Sequence, residues 1–301
     1  MNPSEIRRRV DDLSTRWVPA TVVVLAGLLW LSNLNWKVPP GFGESADRCS
    51  GLCRFVQAGI DHPVVPGSGW VLDNIVQPQL GVFGYITLLA EAVLSVLLIS
   101  RRHLRVAAAL GVAQSLAIGL TVANAPDEWY WAYLVMIGLH LAVLGFAPVL
   151  RPASSKAMAV LVATYGIVVA VTHAEAGFTG DGNRTWTLFT GGNDVPDEFG
   201  RGTFTGSVAL GLLLVVLAVA VWLLSGAADR TRTTGGWILV GVAVVLLFTY
   251  HGSGLAIGLG SRAVTATLVA AAGLSLTATG TPTRPATTPA RQSQAAGSRA
   301  A

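Results

Sequence analysis

Charge is what this chain has least of. Only 12% of its 301 residues are Asp, Glu, Lys or Arg, against about 25% in a soluble globular protein. Lysine is nearly missing: Lys37 and Lys156 are the only two, and arginine carries the rest of the basic charge. The two cysteines, Cys49 and Cys53, make neither a multi-bridge disulfide framework nor a four-ligand zinc site by themselves. The sequence holds no P-loop, no G-x-S-x-G, no H-E-x-x-H and no Rossmann fingerprint. Haem and flavin motifs are missing as well, so no metal, haem or flavin is expected from the sequence. The formal charge of +4 is not a nucleic-acid footprint. Its basic residues stand at the ends of apolar runs, not in a patch interleaved with aromatics, and no nucleic-acid partner is expected.

What the chain does have is apolar length. Hydrophobic residues make up 52% of it, and the mean hydropathy is +0.58. Long apolar runs occupy residues 18–35, 81–100, 104–124, 129–150, 157–174, 205–225, 235–252 and 262–280. A hydrocarbon core of about 30 Å takes about 20 helical residues to cross, so the runs predict an all-α polytopic membrane protein with about eight transmembrane helices. The last run is the weakest, being rich in Ala and Thr. With both termini in the cytoplasm, fourteen of the 20 basic residues fall inside, and most loop carboxylates fall outside. Arginines before the first run imitate a signal peptide. No small-residue cleavage site follows "LLWLSNLNWKVPP", however, and the run reads as an uncleaved helix. Arginine in place of lysine, with abundant Ala, Gly and Val, fits a GC-rich bacterial genome, and the expected location is the bacterial cytoplasmic (inner) membrane.

The spacing of the runs divides the chain. A cytoplasmic segment covers residues 1–16. A first four-helix half spans 17–150 with an outer loop at 36–80, and a second half spans 151–280 with an outer loop at 175–204. Each half has one helix, a long outer loop, then three closely joined helices. Four spans per unit would give both copies the same orientation, a parallel repeat. The Pro/Thr/Ala-rich residues 281–301 read as a disordered cytoplasmic tail.

Against this background Glu91 stands out. It lies mid-run in "GVFGYITLLAEAVLSVLLISRRH", where a charged side chain costs about 2.5–3.5 kcal/mol on insertion scales. Counting along the alternating helices puts Gln114 and His140 at nearly the same depth on the next two spans. Three polar side chains at one depth can exchange hydrogen bonds that lipid would deny them. Two readings follow. They glue the helices together, or Glu91, helped by His140, holds or passes a proton. The second half has no matching acid: "TGSVALGLLLVVLAVAVWLLS" is uncharged.

At the outer end of the first run stand Trp36 and Lys37, and "APDEWYWAY" opens the fourth with Trp129, Tyr130, Trp131 and Tyr133. Such aromatics form an interfacial belt or the rim of a site for an amphipathic ligand. His173 and His251 close two later runs near the outer surface and make at most half a metal site. Cys49 and Cys53 lie on the outer, oxidising side with three residues between them. Within a regular helix that spacing keeps the Cβ atoms about 5–6 Å apart, beyond disulfide reach. Ser50-Gly51 lets the chain turn and close the bond. The pair is then either a loop staple or a redox-active couple.

Several of these features together resemble one family. Trp36-Lys37 after the first run, "FG" opening the second, Glu91 within it, "SRRHLRVAAALG" into the third and "DEWYWAYLVMIGLH" into the fourth resemble the DoxX/DoxD-like membrane proteins over about residues 17–150. The resemblance implies a four-helix membrane unit linked to redox complexes. One branch is the small subunit of an archaeal thiosulfate:quinone oxidoreductase. It implies a quinone as cofactor, the family's acid at Glu91 and its Trp-Lys pair at Trp36 and Lys37. With His140 and Gln114 added from their matching depth alone, Glu91 and His140 are the candidate catalytic groups, and Gln114, Trp36 and Lys37 the candidate quinone-binding ones. A redox protein on the outer face is the expected partner beside the lipid bilayer. The second four-helix half does not look like the partner domain of the thiosulfate enzyme, which argues against thiosulfate as substrate. A non-catalytic anchor and a small-solute transporter are the alternatives.

Overall fold

The computed structural model describes residues 4–6, 11, 13–34, 37, 42, 49, 51–126, 128–179, 201–248 and 262–277, without the side chains of 13, 16, 172–179, 201–210, 248 and 262. No strand occurs among the described residues, and each of the apolar runs is a helix. With a further helix between the first two runs, the order is α1 (Val18–Asn33), α2 (Gly51–Asp61), α3 (Leu80–Ser100), α4 (Leu104–Val122), α5 (Tyr130–Phe146), α6 (Ser155–Thr179), α7 (Arg201–Leu224), α8 (Asp229–Phe248) and α9 (Arg262–Leu276). The helical stretch Ser68–Ser100 and α4 are long and apolar enough to cross a membrane. Shorter apolar helices include Val18–Asn33, Tyr130–Phe146 and Ala263–Leu276.

Within loop 36–80, residues 51–61 and 68–79 are helical despite the Pro/Gly content of the segment. It contains α2 and a helical lead-in over 68–79 that continues into α3. The lead-in is irregular, with a wide turn at Leu72–Val76 and a tight one at Gln77–Gln79, because Pro78 offers no N–H to a regular α ladder. α2 places Leu52, Val56 and Gly59 on one buried face, the spacing of an amphipathic helix. Gly59 lies so close to the Thr121 carbonyl at the end of α4 that a side chain there would collide with it. Asn124 Nδ2 then donates to the Pro63 carbonyl at 3.2 Å. α6 runs to Thr179 and α7 starts at Arg201, so both helices reach into the residues 175–204 expected as loop. His173, as a side chain, His251, and the tail from residue 281 lie outside the described residues.

The helices pair through small residues. Gly166 of α6 and Gly211 of α7 face each other, and a Cβ on either would come within 2.6 Å of the other's carbonyl oxygen. Gly236 of α8 and Gly273 of α9 repeat the arrangement. Without side chains in between, backbones approach closely and dispersion contacts accumulate, the usual means of association for apolar helices. The two halves pair in the same order. α1 packs on α3, α4 on α5 and α1 on α5; likewise α6 packs on α7, α8 on α9 and α6 on α9.

α9 is the most enclosed helix. Val264, Ala266, Leu268, Val269, Ala271, Ala272 and Leu276 are all buried, as are Thr265, Thr267 and Ser275. It packs against α8, α6 and, across the seam between the halves, α3. Large apolar side chains are instead exposed around the periphery, among them Leu134, Val135, Leu141, Leu212, Val216 and Leu223.

Candidate functional site

The site begins where α1 stops. Just past its last turn, Lys37 N–H bonds back to the Leu34 carbonyl at 3.2 Å. The Lys37 side chain then turns inward against α3, and the residue is only 4% exposed. Its ammonium donates to Glu91 Oε2 at 2.7 Å and to the Asn33 carbonyl at 3.2 Å. Glu91, halfway along α3, is fully buried. Its other oxygen, Oε1, accepts from Gln114 Nε2 of α4 at 3.3 Å. A buried carboxylate is tolerable when a cation pairs with it and further donors meet its lone pairs, and Glu91 has both.

Lys37, expected at the outer end of the first run as a quinone-binding residue, thus lies buried as the counter-ion of Glu91. The Lys stem is long enough to span from the chain beyond α1 to mid-α3, where its ammonium meets Glu91. One helical turn further along α3, on the same face, Ser95 Oγ is fully buried with no hydrogen-bond partner among the described residues.

His140 reaches mid-bundle but joins a different set of partners. Trp30 Nε1 lies 2.9 Å from His140 Nε2, and Met136 O lies 2.7 Å from Nδ1. An indole N–H only donates, so Nε2 must be the acceptor, and Nδ1 carries the proton and donates to the Met136 carbonyl. The imidazole is held neutral in one tautomer, with both nitrogens occupied. The expected bond between His140 and Glu91 is therefore not made. The ring fits because α4 presents Gly111 to it; any side chain there would overlap the imidazole. Gln114 follows one turn along α4, so a single helix face serves both polar sets.

Trp30 was not singled out in the sequence, although a tryptophan within an apolar run carries one N–H in need of an acceptor. Its indole is 1% exposed, and a buried tryptophan needs an acceptor for its N–H. Trp30→Phe is expected to cost about 1–3 kcal/mol, since it orphans the buried His140 Nε2. Unfolding midpoints in mixed micelles measure it, and no change would mean that the bond contributes nothing.

Beyond α1, Phe42 is buried with its ring against Gly84 of α3. Its carbonyl accepts from Leu52 N–H at 3.1 Å. Cys49 and Cys53 are disulfide-bonded with a Cα separation of 5.2 Å. The turn foreseen at Ser50-Gly51 is visible at Gly51, whose φ of 53° lies in the left-handed region that glycine enters without a Cβ penalty. Trp129, Tyr130 and Trp131 are exposed at the start of α5, and Tyr133 OH donates to Glu128 at 2.7 Å. Trp36 lies outside the described residues. Among the described residues no group of three His, Cys, Asp or Glu could hold a metal ion.

No family model, curated protein or solved structure matches the chain.

Proposed function

We propose that the chain is a DoxX-like multi-span protein of the bacterial cytoplasmic membrane, serving as the membrane subunit of a quinone-linked redox complex. Eight helices cross the bilayer, with both termini in the cytoplasm. The apolar periphery supports the membrane part, because large Leu and Val side chains on so many outward faces would be unstable in water and are at home in lipid.

The observation that carries the redox part is the Lys37–Glu91–Gln114 cluster, a buried ion pair in a bundle of otherwise apolar helices. The side chains offer hydrogen-bond donors that suit a quinone head group. Ser95 has a buried hydroxyl without a partner among the described residues, and Gln114 has a second amide hydrogen to donate toward a carbonyl oxygen. A quinone, when bound, supplies the two-electron acceptor that these side chains lack. Glu91 is the group that can take and hold a proton, and Lys37 holds it in place as its counter-ion. His140 takes no part in proton transfer on this reading; with Trp30 and Gly111 it fixes how α1, α4 and α5 meet.

Mass spectrometry of lipids co-purifying with the wild type and with Glu91→Gln tests the proposal. A quinone bound one-to-one in the wild type and lost in the variant is the expected result. No quinone in either would remove the redox reading. A second reading, a non-catalytic anchor or assembly partner, is favoured by one observation: both oxygens of Glu91 already have partners. On that reading Glu91→Gln assembles and functions like the wild type.

A further inference from the structure

We propose that the Cys49–Cys53 disulfide is a thiol-exchange site on the outer face, open to a dithiol donor. The inference extends the redox-linked reading above to the point where electrons enter. It stands on the inequality of the two sulfurs. Cys49 precedes α2 and is exposed, whereas Cys53 is half-buried in the first turn of α2. N–H groups in that turn have no intrahelical partners and carry the positive end of the helix dipole. No acidic residue occupies the turn, and the exposed Arg54 follows directly. A thiolate at position 53 is therefore stabilised, while the sulfur at position 49 is the one an incoming thiol reaches. Exchange is fast when the accessible sulfur is attacked and the better thiolate leaves.

Two further features set this bond apart from a staple. The cysteines are only four residues apart, and a bridge closing so short a loop removes the least entropy from the unfolded chain. α2 is also held without it, through buried Leu52 and Val56, the contact of Gly59 with Thr121, and the bond from Asn124 to Pro63. Opening the bridge leaves the helix in place.

The chemistry balances with a dithiol alone. A donor thiolate attacks Cys49 Sγ, a mixed disulfide forms, the Cys49–Cys53 bond breaks, and Cys53 leaves with the electron pair as thiolate. The donor's second thiol, once deprotonated, attacks its own sulfur in the mixed disulfide and releases Cys49 as thiolate. The two protons lost by the donor restore both thiols. The donor is oxidised to its disulfide, and the pair has gained two electrons and two protons.

The test uses the full chain in nanodiscs, with millimolar dithiothreitol as the donor and maleimide alkylation read by intact mass. Both cysteines are expected to become alkylated within minutes while helical circular dichroism stays unchanged. A bridge that stays closed until the protein is denatured would overturn the proposal. In Cys49→Ser, the iodoacetamide reactivity of Cys53 is expected to titrate below the ordinary free-thiol value of about 8.5. A midpoint at or above that value would overturn the leaving-group assignment. If this variant fails to fold, reduction of the wild type still decides. Lipid analysis of the same preparation separates the two proposals: bound quinone beside an inert disulfide removes this inference alone. A reactive disulfide without quinone removes the quinone site and leaves the exchange site standing.

Discussion

Lys37→Met is expected to destabilise the protein by about 3–5 kcal/mol, because it leaves the Glu91 carboxylate buried without its cation. The ion pair is 2.7 Å long, and its side chains are 5% and 0% exposed, so water cannot replace the missing ammonium without rearrangement. The double variant Lys37→Met/Glu91→Leu removes both charges and fills similar volume. It is expected to recover most of the loss, since a buried pair and a well-packed apolar pair differ little in net stability. Detergent-unfolding midpoints of the wild type, both single variants and the double variant close the cycle. A Lys37→Met protein as stable as the wild type would mean that Glu91 does not depend on this lysine. The same variants separate stability from function: if the double variant is stable yet binds no quinone, the pair serves more than packing.

Gly111→Val is the second large effect. The new side chain falls on the His140 ring, so the imidazole must move, and Trp30 loses its acceptor. Overpacking costs about 1–3 kcal/mol, and the orphaned indole N–H adds about 1–3 kcal/mol. The sum is a large part of the stability of an ordinary domain. Gly138→Ala serves as the control. A Cβ at Gly138 meets nothing within 4 Å, and alanine in a helix gains roughly 0.5–1 kcal/mol over glycine. Equal midpoints for Gly111→Val and the wild type would mean that His140 is not packed against α4.

The helices were legible because length and apolarity are local properties: every run read from hydropathy is a helix, with ends differing by a few residues. The polar centre was legible only in part. Glu91 and Gln114 met as their depths suggested, since depth along alternating spans follows from counting residues. Rotation about each helix axis does not, and it sends His140 to Trp30 instead. Lys37 was read as an outer-surface residue because it follows the end of the first apolar run; the reach of its side chain to Glu91 follows from a tertiary position that hydropathy does not encode. α9 was judged the weakest run for its Ala and Thr. In the bundle those small side chains are what lets a helix sit among α3, α6 and α8. Low hydropathy there reflects crowding by protein on all sides, where the peripheral helices carry exposed Leu and Val. α2 was hidden by its surroundings. The spacing of Leu52, Val56 and Gly59 is helical, but eleven residues between prolines and glycines look like loop.

The central place of α9 has a consequence for how the protein is made. Helices leave the ribosome in order, at about 5–20 residues per second, and α9 is the last of the described helices to emerge. Until it arrives, α3, α6 and α8 have no partner for the faces that later enclose it. Assembly of the two halves is therefore completed from the C-terminal side. A nonsense or frameshift change before residue 262 is expected to yield a product with an open trench, one that membrane quality-control proteases clear even though the Lys37–Glu91 pair and every residue of the first half are intact.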